Sequence, residues 1–475
     1  MIFLILIVIY FIILLALGIF ARKLTKKTPQ DYFIANRSFG SIILFFTLIA
    51  TNFSAFTFLG FAGASYKYGL GQYGIMGFGT AIMAIMFYVI GRKVWKLGKK
   101  NGYISPPELI GKRLNSTSLR LLFMGTMVVF TIPYLATQAI GAGVLIENMT
   151  GIIWQFGAVA TMIVIMFYVI SGGMRGSGWT DVIQGVIMIA ALTLAVVFIA
   201  VNLGGFEAAN MASYEAKPEL FSRPGGYGFF MPQMWFSFMF LWIFADPMFP
   251  QIFSRFYTAK NEKSLKNAMI LYPLVVSFLF LFPVLIGVWA HGAGVHPENT
   301  DSVLPMMVEK FAAPIYSFVI IGALAALMST ADSQLLSLST MLSHDLPFKK
   351  KYLSEISIGK VFVIVLTLFA IIFVVFGYDP SSGIMGILVQ TTFPGLAVLC
   401  PTTIAVLYWK KVTKYGCISS IIIGESSIFL FQYNYLPSYG FLPAVFSVVI
   451  STIVLVTISL LTNKKTMKIL LKQKG

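Results

Sequence analysis

Between Ala325 and Asp345 the chain reads AALMSTADSQLLSLSTMLSHD. At ~100° per residue on a helix, Ala326, Ser329, Thr330, Ser333, Ser337 and Thr340 fall on one stripe. Asp332 lies at its edge, beside Ser329. The stretch closes a hydrophobic segment and is too polar to face lipid. Hydroxyls with an ionisable group inside a membrane helix mark an ion or substrate path. Hydroxyls also bond back to their own helix or join neighbouring helices, and that accounts for one or two of them. A whole stripe with an aspartate points to function.

Two further segments carry polar or helix-breaking residues at mid-span. LFFTLIATNFSAFTFLGFAG has Thr51, Asn52, Ser54 and Thr57 near its centre. WFSFMFLWIFADPMFPQIFSRFY is interrupted by Asp246-Pro247 and Pro250. Discontinuous helices at matching positions of two halves point to a transporter site. Unwound backbone is tolerated at that depth only where protein or a water-filled cavity surrounds it. Sodium is a hard cation that takes oxygen ligands. Carbonyls freed at Ala50–Ser54, with the hydroxyls of Ser329 and Thr330, make a site of low formal charge. Such a site suits a monovalent ion that must also leave.

The elements that position these residues are membrane helices. Hydrophobic residues make up 58% of the chain and charged ones 11%, against about 25% charged in a soluble domain. Thirteen spans are expected, at 2–21, 40–65, 73–91, 121–146, 151–171, 180–203, 232–254, 267–292, 311–343, 358–377, 382–409, 416–433 and 440–462. The first has its charges after it (Arg22, Lys23, Lys26, Lys27), whereas a signal peptide has them before. It reads as a retained helix with its start outside. With that orientation, 30 of the 34 lysines and arginines lie on the inner side, as the positive-inside rule requires. The exceptions are Lys67, Lys217, Arg223 and Lys310. The net charge of +17 therefore belongs to membrane topology and to contact with anionic lipid, not to a nucleic-acid groove. Loops 204–231 and 293–307 read as solvated connectors. Cys400 and Cys417 suggest no disulfide framework, and His291, His296 and His344 have no metal-ligand spacing.

Five segments together resemble the sodium/solute symporter family. They are DYFIANRSFG (31–40), ATNFSAFTFLGFAGASYKYGLG (50–71), SGGMRGSGWTDVIQG (171–185), PMFPQIFSRFYTAKNEKSLK (247–266) and AALMSTADSQLL. No single segment is decisive; their order and spacing are. The resemblance spans Asp31 to about Trp409. It implies an all-α membrane protein with the inverted-repeat fold of the leucine-transporter type, built as one domain over residues 1–475. Residues 40–203 would form the first five-helix repeat and 232–409 the second, with additional helices at 2–21 and 416–462. It further implies a plasma-membrane location, with the C-terminus cytoplasmic.

Carried over residue by residue, the family's shared sodium site falls on Ala50, Phe53 and Ala326 through backbone carbonyls, and on Ser329 and Thr330 through hydroxyls. Some members bind a second sodium, whose positions here are Asp181, Asp332 and Ser333. Asp332 departs from the serine of two-sodium members. The two carboxylates could strengthen a cation site, hold a proton between them, or lose one partner to Arg175. The substrate pocket is expected near the midplane, among Asn52, Ser54, Phe56, Thr57, Tyr134, Gln138, Trp235, Trp242 and Gln390. Taken singly, Tyr134, Trp235 and Trp242 read as interfacial or packing aromatics. Gln138 and Gln390 are costly to bury unpaired, which favours a pocket role. Asn52 replaces an acidic residue of proline-type members, which argues against proline. YLATQ is similar to monocarboxylate-type members and GASYKYGLG to pantothenate-type members.

The expected function is sodium-coupled symport of a small organic solute by alternating access: a monocarboxylate, pantothenate-like acid, amino acid or sugar. Sodium is the coupling ion, with no organic cofactor, no other metal and no nucleic-acid partner. A proton in place of sodium stays open through Asp181 and Asp332. A passive channel would favour a repeated pore-lining element. A membrane-embedded enzyme would need a His/Asp, Ser/His or metal set inside the spans, and the three histidines sit at edges or in loops.

Overall fold

The computed structural model describes residues 2–26, 28–347, 354–376, 384, 386 and 388–463. The basic tail after Asn463 and the start of the expected 382–409 span lie outside the described residues. Among the described residues the regular elements are all helices. Helix α1 is Ile2–Leu24, α2 Ser41–Asn52, α3 Phe61–Tyr68, α4 Gly71–Asn101, α5 Thr117–Thr150 and α6 Trp154–Asn202. The second half has α7 at Pro232–Ala245, α8 at Pro250–Thr258, α9 at Glu262–Leu279, α10 at Leu281–Gly292 and α11 at Tyr316–Asp345. Then follow α12 at Glu355–Phe376, α13 at Phe393–Tyr408, α14 at Lys414–Gln432 and α15 at Pro443–Thr462.

Among the described residues ten helices are long and apolar enough to cross a membrane, and up to twelve if each of two bent pairs counts as one span. The expectation of thirteen treats α6 as two. Its 49 residues would run about 73 Å at 1.5 Å per residue, more than twice the ~30 Å hydrocarbon core. It is interrupted at Gly173, whose φ is +55°. A Cβ there would lie 2.8 Å from the Tyr32 carbonyl oxygen, so glycine serves both the conformation and the close approach.

Burial sorts the helices. Only 22% of the α1 window is covered by protein, against 67% for the segment containing α11. Ile5, Ile9, Ile12 and Phe20 on α1, and Leu368, Phe369 and Ile372 on α12, turn outward. Helix α11 is enclosed by α5, α6, α8 and α12, with α2 against its hydroxyl stripe.

Both expected interruptions are present. α2 and the Phe56–Tyr68 segment meet at a 62° bend, and the α7 and α8 segments at 54°. The second has a plain covalent cause. Pro247 and Pro250 offer no amide to Ile243 and Asp246. The first contains neither proline nor glycine. There Ser54, Thr57 and Gln138 compete for backbone groups: the Phe56 amide donates to Ser54 Oγ (3.2 Å), the Ser54 amide to Thr57 Oγ1 (3.4 Å) and the Ala55 amide to Gln138 Oε1 (3.0 Å). A π-helical turn, Phe56–Gly60, restarts the helix.

Candidate functional site

The break after Asn52 leaves the carbonyls of Ala50, Thr51 and Phe53 without helical amide partners. Helix α11 meets them. Ser329 Oγ lies 2.8 Å from the Ala50 oxygen and 3.0 Å from that of Ala326. Thr330 Oγ1 lies 2.8 Å from the Phe53 oxygen and 3.2 Å from those of Ala50 and Thr51. All five residues expected at the shared sodium site are thus brought together, and each is 0–1% exposed. Two hydroxyl hydrogens cannot serve four carbonyl oxygens at once. A small cation can, with the two hydroxyl oxygens added as ligands. The site holds no carboxylate, so a monovalent ion fits it better than a divalent one.

One turn further along α11, Asp181, Asp332 and Ser333 also converge, but a cation already stands among them. Arg255 of α8 is fully buried. Its Nε donates to Thr47 Oγ1 (2.7 Å), and its Nη2 to Ser177 Oγ (3.0 Å) and Asp181 Oδ2 (3.1 Å). Nη2 also donates to Ser333, and the Thr47 hydroxyl to Asp181. Asp332 Oδ1 accepts from Ser177 (3.1 Å) and Ser333 (2.9 Å). Thr51 and Ser333 are 2.9 Å apart, linking the two clusters. The expected alternative pairing with Arg175 does not occur. Its Nη2 is 2.6 Å from Asp31 Oδ1, and its Nε contacts both carboxylate oxygens. Ser337 and Thr340 bond back to the carbonyls of Ser333 and Leu336, so the stripe's far end is ordinary helix packing.

The substrate candidates divide. Asn52, Ser54, Phe56, Tyr134 and Trp242 meet between the two breaks. The Tyr134 hydroxyl donates to Ser54 Oγ (3.3 Å). Asn52 Nδ2 donates to Tyr272 Oη (2.6 Å) and to Asp246 Oδ2 (3.2 Å). Phe56, Trp242, Tyr134 and Phe249 each place a ring 5.2–5.7 Å from that of Phe393. Thr57 and Gln138 are adjacent but occupied in holding the break. Gln390 is exposed and lines a separate cavity of ≈ 450 Å³ with Lys67, Tyr68, Phe229 and Asp301. Trp235 departs from expectation: it lies almost two helical turns from Trp242, in the first turn of α7. Its ring is covered by the Arg223 guanidinium at 3.9 Å and packs on Gly74.

Polar groups cluster at both ends of the helices. At one end burial pushes the Asp301 carboxyl up to about 6, against the pull of the Ile384 amide that it accepts. At the other end Arg120 Nε is 2.6 Å from Asp345, and His344 joins Glu108 (3.0 Å) to Glu355 (2.6 Å). Burial works to raise the Glu108 carboxyl, but the His344 ring, the Ile104 amide and Arg120 hold it below its ordinary value.

Sequence reasoning missed Arg255, Asp246, Tyr272, Phe249 and Phe393. Arg255 falls just beyond the expected span 232–254, and Asp246 was read only as a helix breaker. Their signal was position: both lie within or just after a double-proline break that protein must enclose.

Two broken helices with facing carbonyls and hydroxyls define a secondary transporter of the leucine-transporter type. The solved structure of a Na+-coupled sialic acid symporter, substrate-bound and outward-open, shares this fold with a TM-score of 0.79 at 19% identity, covering 97% of this chain and 98% of that one. The sodium/pantothenate symporter of Haemophilus influenzae is 29% identical over 441 residues, 89% of each chain. The high-affinity proline transporter of Bacillus subtilis is 26% identical over 450 residues, 90% of this chain and 93% of its own. Residues 32–424 match the sodium:solute symporter family, and the chain belongs to it. It is a multi-pass membrane protein that carries out sodium-coupled symport of a small solute, and it is not an enzyme.

Proposed function

We propose that one sodium ion binds between the first broken helix and α11, held by the carbonyls of Ala50, Phe53 and Ala326 and the hydroxyls of Ser329 and Thr330. The carrying observation is that Thr330 Oγ1 is within 3.2 Å of three carbonyl oxygens freed by the break. The Thr51 carbonyl joins the set as an accessory ligand. Arg255 takes the place of a second sodium beside Asp181, Asp332 and Ser333, so one ion is carried per cycle.

The solute binds at mid-depth among Asn52, Ser54, Phe56, Tyr134 and Trp242. Gln138 acts by holding the Ala55 amide at the break. Gln390 acts earlier, in the separate cavity that it lines. Sodium tightens α2 against α11 in the arrangement open to the outside, and inward opening separates them and releases it. An ion biases such an equilibrium only by its differential affinity for the two states, and a site shared by two moving helices supplies that difference. One charge moving inward at ~100 mV adds about 2.3 kcal/mol of drive.

In this reading the chain is one transporter domain in the plasma membrane, with its N-terminus outside, its C-terminus inside and lipid around it. Residues 40–203 and 232–409 form the two repeats, with additional helices at 2–21 and 416–462. The charge asymmetry of the loops supports that orientation. The test is uptake into proteoliposomes with an inward sodium gradient, using a panel of amino acids, organic acids, sugars and pantothenate. Uptake must collapse when external potassium replaces sodium, and Ser329→Ala must raise the sodium needed for half-maximal rate. Uptake indifferent to sodium would reject the assignment.

A further inference from the structure

Asp246 sits where the second helix breaks, 2% exposed. Its Oδ2 accepts from Asn52 Nδ2 across the gap to the first break. Among the described residues no lysine, arginine or histidine forms an ion pair with it. A carboxylate buried this deeply requires a cation or a proton. Arg255, on the following helix, is committed to the Asp181 cluster.

The surroundings suit one kind of cation. Trp242 stands one helical turn before Asp246 on the same face. The Phe56 and Trp242 rings are 5.8 Å apart, Phe249 is 5.5 Å from Tyr134, and Phe393 packs against all four. Among the described residues the buried Trp242 Nε1 has no hydrogen-bond partner. A bare metal ion would be coordinated poorly by ring faces and a single carboxylate. An organic ammonium suits both, because aromatic faces attract a diffuse cation and the carboxylate takes its charge. The sodium site is formed by other residues, so the two cations need not compete.

Building on the symporter reading above, we propose that the transported solute carries a charged amino or alkylammonium group, which docks on Asp246 under the rings of Phe56, Tyr134, Trp242 and Phe393. Asn52 then serves as the neutral amide that orients the carboxylate. Among the described residues Asp246 is the acid at the junction of the two breaks, contributed by the second broken helix.

The full-length protein in detergent is titrated in saturating sodium, with Trp fluorescence and melting temperature as readouts. The probes are L-proline, β-alanine, choline and glycine betaine, against the amine-free acids propionate, pyruvate and pantothenate. At least one ammonium probe should bind saturably while the amine-free acids do not. Asp246→Asn should weaken that probe at least tenfold, with the sodium midpoint unchanged. Because Asp246→Asn could impair folding, the amine versus amine-free comparison on the unaltered protein stands as an independent arm. Binding of amine-free acids alone, binding of none of the ammonium probes, or an Asp246→Asn variant that binds them as well as the unaltered protein overturns the proposal. A shift in the sodium midpoint with unchanged solute affinity also overturns it, by assigning Asp246 to an ion. None of these outcomes touches the sodium site itself, whose failure would show separately as melting indifferent to sodium in the unaltered protein.

Discussion

Replacing Thr330 by alanine should separate a sodium ligand from a simple helix tie. In the ion-free protein the hydroxyl ties α11 to the Phe53 carbonyl at 2.8 Å. Losing a neutral hydrogen bond of this kind costs about 0.5–1.5 kcal/mol. In the sodium-bound protein the same oxygen faces a full charge, where the loss is about 1.5–3 kcal/mol. The difference, roughly 1–1.5 kcal/mol, falls on sodium affinity and corresponds to a five- to tenfold weaker midpoint. The assay needs no knowledge of the solute. Melting temperature is followed as sodium chloride replaces potassium chloride at constant ionic strength, since a ligand that binds only the folded state stabilises it by RT ln(1 + L/Kd), where L is its free concentration. Thr330→Ala should melt lower without sodium and also need five- to tenfold more of it, while Thr330→Ser should restore both. A lower melting temperature with a sodium midpoint within twofold of the original would refute the reasoning and leave Thr330 as packing.

Further outcomes follow from the neighbouring contacts. Arg255→Gln strands Asp181 and Asp332 and should destabilise by about 3–5 kcal/mol; adding Asp181→Asn should recover most of it, as read by melting. The single Arg255→Gln variant should also gain a second, steeper sodium dependence as the ion enters the vacated place. Gln138→Ala leaves the Ala55 amide unpaired and should cost about 1–3 kcal/mol, read as a lower melting temperature; an unchanged melting temperature would count against the backbone role. Asp301 titrates near 6 rather than 3.8, so the folded protein binds more protons than the unfolded one across that window. Its burial therefore lowers stability as pH rises from about 4 to 6, with no further loss above. Asp301→Asn should melt higher than the unaltered protein at neutral pH and match it below about pH 4.

The meeting of the first break with the hydroxyls of α11 was legible because its parts are chemically unusual, while Phe53 and Ala326 entered as ligands through the family resemblance alone. Hydroxyls at helical spacing inside an apolar segment, and a polar interruption without proline, both stand out against a hydrophobic background. The two broken helices were legible for the same reason. The rest depended on which way a residue turns. Arg255 belongs by composition with the inner basic loops, and only the double break keeps its segment buried and swings it toward Asp181. Gln138 read as a pocket amide because unpaired burial is costly; the partner that satisfies it is an amide of the neighbouring break, which no spacing reveals. Trp235 and Trp242 are alike as letters, and the α7 helix separates them by nearly two turns.

The Arg255 cluster has a kinetic consequence. A sodium ion in that place would exchange with the cytoplasm, and its occupancy would follow internal sodium. A guanidinium on the chain has no concentration term. It joins α2, α6, α8 and α11 through Thr47, Asp181 and Ser333. On the one-sodium reading proposed above, this tie would be the same at every salt concentration, and internal sodium would slow the return through the Ala50–Thr330 site.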